Sequence, residues 1–362
     1  MTKQNYFKKP KVKTMTKKML MTSVAVAAIG MMAGAAMAKE ADKPQKANPA
    51  MQKVLDALGT LGGKPIDTLT PEEARKQPTP ADAVKKVMGD MGKSAAPEAG
   101  VTVKDMMISG PVGEFPIHVF TPEGKGPFPV LVYFHGGGFV IADTKVYEAS
   151  PRALAKMAQA VIVAVDYHLA PEHKFPAAPN DAYAAYTWVL AHTKEINGDL
   201  QRVAVGGESA GGNLATVVSM MARDKKAQMP VHQMLVYPVI NDDMNSPSYK
   251  KYADAKPLNK PMMAWFFKHY GGDPKNPYAL PMKAASLKGL PPATVIAAEI
   301  DPLQSEGKAY ADRLKKDGVP VTYKHYSGVT HEFFGMGAVV PAAKEAEQFA
   351  ADQLKKAFTA AR

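Results

Sequence analysis

At 362 residues, 46% of them hydrophobic and 22% charged, the chain has ordinary globular composition and can bury a sizeable core in one large domain or two modest ones. It has no cysteine, which excludes a disulfide, a zinc–thiolate site and a lipid-modified cysteine. The net charge of +11 does not mark a nucleic-acid binder: seven of the positive charges lie within residues 1–38, with no acid among them, leaving +4 for the remainder.

Those seven lysines, Lys3 to Lys18, precede an uncharged stretch from Met19 to Ala38 that closes on Ala36-Met37-Ala38. A positive start, a moderately apolar middle and small residues two apart are the anatomy of a signal peptide cut before Lys39, so residues 1–38 predict export to the periplasm or the medium. About 20 apolar residues also suffice for an uncleaved membrane anchor, a reading weakened here by the Ala and Gly content. With cleavage no stable membrane anchor is left. Met15 is an alternative start, because Met15-Thr16-Lys17-Lys18 alone makes an ordinary positive region. Residues 39–100 form an N-terminal linker segment punctuated by Pro44, Pro49, Pro65, Pro71, Pro78, Pro80 and Pro97. Only short helices fit there: Pro49–Leu58, Thr70–Lys76 with Thr70 as cap and Pro71 in the first turn, and Pro80–Met88.

From Val101 to the C-terminus, residues 101–362, short apolar runs rich in β-branched residues alternate with helical patterns. Strands are predicted at Val130–Phe134, Val161–Val165, Arg202–Gly206, Met234–Tyr237, Ala293–Ala298 and Val321–Tyr326. Helices are predicted at Pro151–Ala158, Asp181–His192, Ala210–Ala222, Ser305–Asp317 and Pro341–Ala360. Such alternation implies a mostly parallel sheet covered by helices on both faces. One stretch interrupts it: residues 243–283 are irregular, then helical at Pro261–Tyr270, and read as an insertion over one end of the sheet. Its Trp265, Phe266, Phe267 and Tyr270 either wall an apolar site or pack against the core.

Chemistry enters at the strand ends. His135-Gly136-Gly137-Gly138 follows the first predicted strand, and its glycines leave backbone N–H groups unhindered. Gly207-Glu208-Ser209-Ala210-Gly211 matches G-x-S-x-G, with a strand before it and a helix after it, as a strained nucleophile turn requires. Ser209 is the candidate nucleophile, and the N–H groups of Gly137, Gly138 and Ala210 are candidates for an oxyanion hole. Acid and base must then follow in that order. Asp301 sits at the end of Ala293–Ala298, with Glu299 as its alternative; His331 lies in the loop after Val321–Tyr326, with His325 as its rival within the strand pattern. His168 and His173 have a proline between them and no carboxylate cluster at ligand spacing, so no metal site is predicted.

On these motifs, together with Asp166 to His173, Phe175-Pro176-Ala177-Ala178 and Asp301-Pro302-Leu303, the chain resembles the hormone-sensitive-lipase family of bacterial carboxylesterases and lipases. The resemblance implies an α/β-hydrolase fold with a helical cap built from residues 48–88 and the 243–283 insertion. It also implies a catalytic set Ser209, Asp301 and His331, with Gly137, Gly138 and Ala210 as oxyanion donors. Three residues depart from the family pattern: Glu208 stands where Asp is common, His168 where Arg is usual and Ser305 where a second acid usually follows. The expected reaction is hydrolysis of short- to medium-chain carboxylic esters through an acyl-enzyme, with no cofactor. The expected partner is a small-molecule ester, and self-association as a homodimer stays open. True lipase or amidase activity by the same residues, or a catalytically silent binding protein, are the competing readings.

Overall fold

The computed structural model describes residues 1–2, 46–97 and 99–361; the signal-peptide reading of residues 1–38 therefore falls almost wholly outside the described residues. The sheet and its helices belong to one compact unit that begins after Pro44. No described helix is long and apolar enough to cross a membrane.

Eight strands form a single sheet in the order β1-β2-β4-β3-β5-β6-β7-β8. They are β1 Val101–Ser109, β2 Glu114–Pro122, β3 Phe128–Phe134, β4 Val161–Val165, β5 Gly198–Glu208, β6 Gln233–Val236, β7 Ala293–Ile300 and β8 Val321–Thr330. All six predicted strands are present, and those six run parallel. The sequence reading missed β1 and β2, which pair antiparallel with each other and join the sheet through an antiparallel β2–β4 ladder. β1 is largely exposed, so it lacks an apolar run. β2 does alternate, burying Phe115, Ile117 and Val119, but Pro116 masks the pattern because proline is unfavourable within a ladder. Its carbonyl still serves, accepting from the Asp166 N–H at 3.1 Å.

The central strands are apolar throughout because both faces are covered. Val130, Val132 and Phe134 of β3 belong to one core, Leu131 and Tyr133 to the other. The first core packs against α6 Ala177–His192, α7 Ala210–Asp224 and α10 Gln304–Lys316, the second against α5 Ala149–Ala158 and α11 Pro341–Ala360. The N-terminal segment contributes α1 Pro49–Thr60, α2 Pro71–Ala74 and α3 Pro80–Asp90. Thr70 and Thr79 each close a capping box, with Glu73 and Asp82, and prolines occupy the first turns. Several hydrogen bonds fasten this segment, among them two clusters. Asn48 N–H donates to Gly328 O at 2.7 Å, and Arg75 grips both carboxylate oxygens of Glu172 and the carbonyls of Val140 and Ala170. The insertion between β6 and β7 carries α8 Pro247–Lys251 and α9 Lys260–Tyr270, while α4 Thr144–Tyr147 follows the glycine loop.

Candidate active site

Ser209 stands between β5 and α7 with φ 57° and ψ −115°, a backbone conformation that non-glycine residues seldom adopt. Its surroundings impose it. The Ser209 N–H donates to Val236 O at 2.9 Å, and its carbonyl accepts from Asn213 and Val239, each at 3.1 Å. Strand and helix meet too closely for side chains at the flanking glycines: a Cβ on Gly207 would lie 2.4 Å from Phe134 O, and one on Gly211 only 1.9 Å from that same atom.

The parallel strands deliver two further groups to this edge. Asp301 follows β7, His331 follows β8, and all three side chains are buried. His331 Nε2 is 3.0 Å from Ser209 Oγ, and Nδ1 is 2.7 Å from Asp301 Oδ2. A carboxylate acceptor at Nδ1 fixes the proton there, leaving Nε2 to accept from the serine hydroxyl. Asp301 is itself held by the Leu303 N–H, which donates to Oδ1 at 2.8 Å. Burial pulls the His331 pKa down, but the charge and hydrogen bond of Asp301, with Glu332 and Glu208 behind, outweigh it and hold the imidazole above its usual value. The rival residues lie elsewhere. Glu299 accepts from the Gly328 N–H at 2.7 Å, and His325 sits within β8 opposite Ala297.

The glycine loop reaches the same cavity. Gly137 and Gly138 have φ of 90° and 59°, and the Gly137 carbonyl accepts from Val140 and Ile141, curling the loop. A Cβ on Gly138 would fall 2.3 Å from the Phe266 ring, and one on Gly136 2.3 Å from the Tyr147 hydroxyl oxygen. His135 stacks on Tyr167, whose hydroxyl donates to the His135 carbonyl, so it shapes the loop rather than the reaction centre. Of the insertion aromatics, Phe266 faces the cavity, whereas Trp265 donates to Leu69 O and Tyr270 stacks on Phe139. His168 is bound to Asp181, and among the described residues no group of three or more His, Cys, Asp or Glu is arranged to hold a metal ion.

Sequence reasoning missed the layer beneath. Glu208 is fully buried, and both its carboxylate oxygens accept hydroxyls, one from Tyr133 and one from Tyr237; burial pushes its pKa up to about 8. Tyr237 also lays its ring against His331, 4.4 Å between centroids. Tyr147 donates to Glu332, the residue after the histidine. For Glu208 the sequence offered its place beside Ser209 and its departure from the family's usual Asp; for Glu332 it offered only adjacency to His331. The cavity over these groups measures about 1260 Å3 and is walled by the glycine loop, α1, α3, α9 and the chain after His331.

A family profile described as alpha/beta hydrolase fold matches residues 131–335. The chain is similar to the esterase LipI of Mycobacterium tuberculosis, 40% identical over 273 residues, which is 73% of this chain and 85% of that one. It is 31% identical over 310 residues to an ethyl acetate hydrolase of Pseudomonas putida, covering 82% of this chain and 95% of the relative. Among solved structures, a thermostable esterase from Pseudomonas putida ECU1011 superposes with a TM-score of 0.79 at 37% identity, over 86% of this chain and 98% of that one.

Proposed function

The chain belongs to the hormone-sensitive-lipase family of α/β-hydrolase-fold esterases and is a carboxylic ester hydrolase, and from that premise we propose that Ser209 is its nucleophile, His331 its proton shuttle and Asp301 the orienting acid. One observation carries this: the unbroken relay from Ser209 Oγ to His331 Nε2 at 3.0 Å and from Nδ1 to Asp301 at 2.7 Å, opening on the glycine loop. As Ser209 Oγ bonds to the ester carbonyl carbon, its proton passes to Nε2, and Asp301 stabilises the imidazolium. The carbonyl oxygen becomes an anion within reach of the Gly137, Gly138 and Ala210 N–H groups. Collapse breaks the bond to the alcohol oxygen, which leaves with the proton from Nε2. Water then attacks the acyl-enzyme while Nε2 takes its proton, and Ser209 is released with the carboxylic acid.

On the family resemblance, the substrate we propose is an ester of about four to eight acyl carbons, with each buried methylene contributing about 0.8 kcal/mol until the acyl pocket is full. We also propose export, on the lysine-rich start and the Ala36-Met37-Ala38 close, with the mature chain starting at Lys39; N-terminal sequencing of the exported protein tests it.

Ser209→Ala should lower kcat by several orders of magnitude on p-nitrophenyl esters and leave stability nearly unchanged. Activity above about one percent would refute the assignment. In the same panel, better turnover of emulsified long-chain triglyceride would identify a true lipase, and faster anilide cleavage an amidase.

A further inference from the structure

Asp301 is not the only carboxylate facing His331. Glu332 adopts φ 69°, a left-handed conformation that a glutamate holds where its surroundings require it. Its Oε1 lies 3.7 Å from His331 Nε2, and its two oxygens accept the Tyr147 hydroxyl at 2.8 and 2.7 Å. Tyr147 is buried at the end of α4, so the carboxylate is gripped from the glycine-loop side. Glu332 also lines the cavity beside Ser209. The relay from Ser209 to Asp301 makes no use of it.

We infer that Glu332 is a positioning residue, a second carboxylate on the Nε2 side of the imidazole that holds the charge of protonated His331 at the atom exchanging its proton with Ser209 and the leaving alcohol. The inference rests on the catalytic assignment of Ser209 and His331. At 3.7 Å the contact is too long for a hydrogen bond, but it lies well inside the range over which an opposite charge favours the charged form. The other groups around the imidazole are Asp301 at Nδ1, Glu208 with its hydroxyl partners Tyr133 and Tyr237, and the Tyr237 ring. Lys145 and Lys256 line the same cavity from α4 and the insertion. Asp301 alone fixes the tautomer. Glu332 acts on the opposite nitrogen, so it delays loss of the imidazolium proton as pH rises, and it lowers the energy of the imidazolium formed with each tetrahedral intermediate.

The test is the pH profile of kcat and kcat/KM on ethyl butyrate for the full chain and three variants. Glu332→Gln keeps an acceptor for Tyr147, Glu332→Gly suits the left-handed backbone and removes the side chain, and Glu332→Asp keeps the charge. Both neutral variants should move the acid limb of kcat/KM down by about one pH unit. They should also lose about tenfold in kcat on the alkaline plateau, with KM little changed. The Asp variant should stay with the wild type. An unmoved limb in Gln and Gly, or an Asp variant displaced as far as Gln, would overturn the inference. Failure of the catalytic assignment looks different, because His331→Ala would then remain active.

Discussion

Glu208 offers a quantitative test of what the buried layer under Ser209 does. Its carboxyl lies wholly inside the protein between the Tyr133 and Tyr237 hydroxyls, and burial first, then the nearby Glu332 charge, raise its pKa from 4.5 to about 8 despite those hydrogen bonds. Between those two values the folded state binds a proton that the unfolded chain has released. A raised folded pKa therefore gives stability that is full below about pH 4.5 and is lost as pH climbs toward 8. At about 1.4 kcal/mol per pKa unit, the ceiling on that loss is about 5 kcal/mol. Glu208→Gln keeps the shape and a carbonyl acceptor but cannot ionise. Urea unfolding followed by the fluorescence of Trp188 and Trp265, at pH 5 and at pH 8, should show wild-type stability falling more steeply than that of the variant, by a few kcal/mol across the interval. The comparison cancels the titrating groups that do not interact with Glu208; His331 and Glu332, which do, contribute to the difference with it. Parallel curves for the two proteins would mean that Glu208 is ionised and solvated throughout, and the reasoning would fail.

Two further substitutions probe the frame around it. Gly211→Ala would put a methyl 1.9 Å from Phe134 O and 2.6 Å from His135 O, main-chain atoms that cannot turn away. We expect about 1–3 kcal/mol of destabilisation or more, visible as a lower Tm, and a larger proportional loss of kcat because those carbonyls lead into the glycine loop; wild-type kcat would contradict this. Arg75→Ala removes a two-pronged bond to Glu172 and two bonds to carbonyls. Partial exposure of the ion pair limits the loss to about 1–2 kcal/mol, but the N-terminal segment should be cut faster in limited proteolysis between residues 61 and 80, and an unchanged cutting rate would show that packing and the Trp265–Leu69 bond hold α2 without Arg75.

Much of this fold was legible because burial on both faces leaves continuous apolar runs. Val161–Val165 matches β4 residue for residue, and Pro341–Ala360 matches α11, since each is bounded by a sharp change of residue type. The two antiparallel strands escaped for opposite reasons: β1 is too exposed to show a pattern, and the alternation of β2 is broken by Pro116. The predicted end of β8 also fell short. Ser327 to Thr330 continue the strand to the residue before His331, although Gly328 reads as a stop. Local motifs found the serine turn and the glycine loop because both are contiguous in sequence. The tyrosines around Glu208 come from β3 and from the residue after β6, and Tyr147 reaches Glu332 across 185 residues, so no spacing rule could pair them. Nor could helix periodicity decide among the insertion aromatics: Trp265 and Phe266 are neighbours, yet one is anchored to Leu69 and the other closes the glycine loop.

The conformation of Ser209 persists because the sheet over-determines it. A non-glycine residue at φ 57° and ψ −115° costs on the order of 1–3 kcal/mol, and an isolated turn would relax. Here β5 is held by parallel ladders on both sides, to β3 and to β6. The Ser209 N–H is committed to Val236, and its carbonyl to Asn213 and Val239, so rotating the peptide would break bonds to three different segments. Gly207, Gly211 and Gly212 let α7 sit directly on β3 and on Pro238, and this contact blocks the helix from withdrawing the turn into the sheet. The hydroxyl is therefore presented to His331 by main-chain bonds, while its own side chain makes no cap for α7. Removing that hydroxyl should leave the turn standing, whereas adding a single carbon to the glycines should collapse it. On the proposed assignment the chemistry and the architecture of this site therefore separate by residue, with reactivity placed in the three buried polar side chains and position in the glycines and the strands that crowd them.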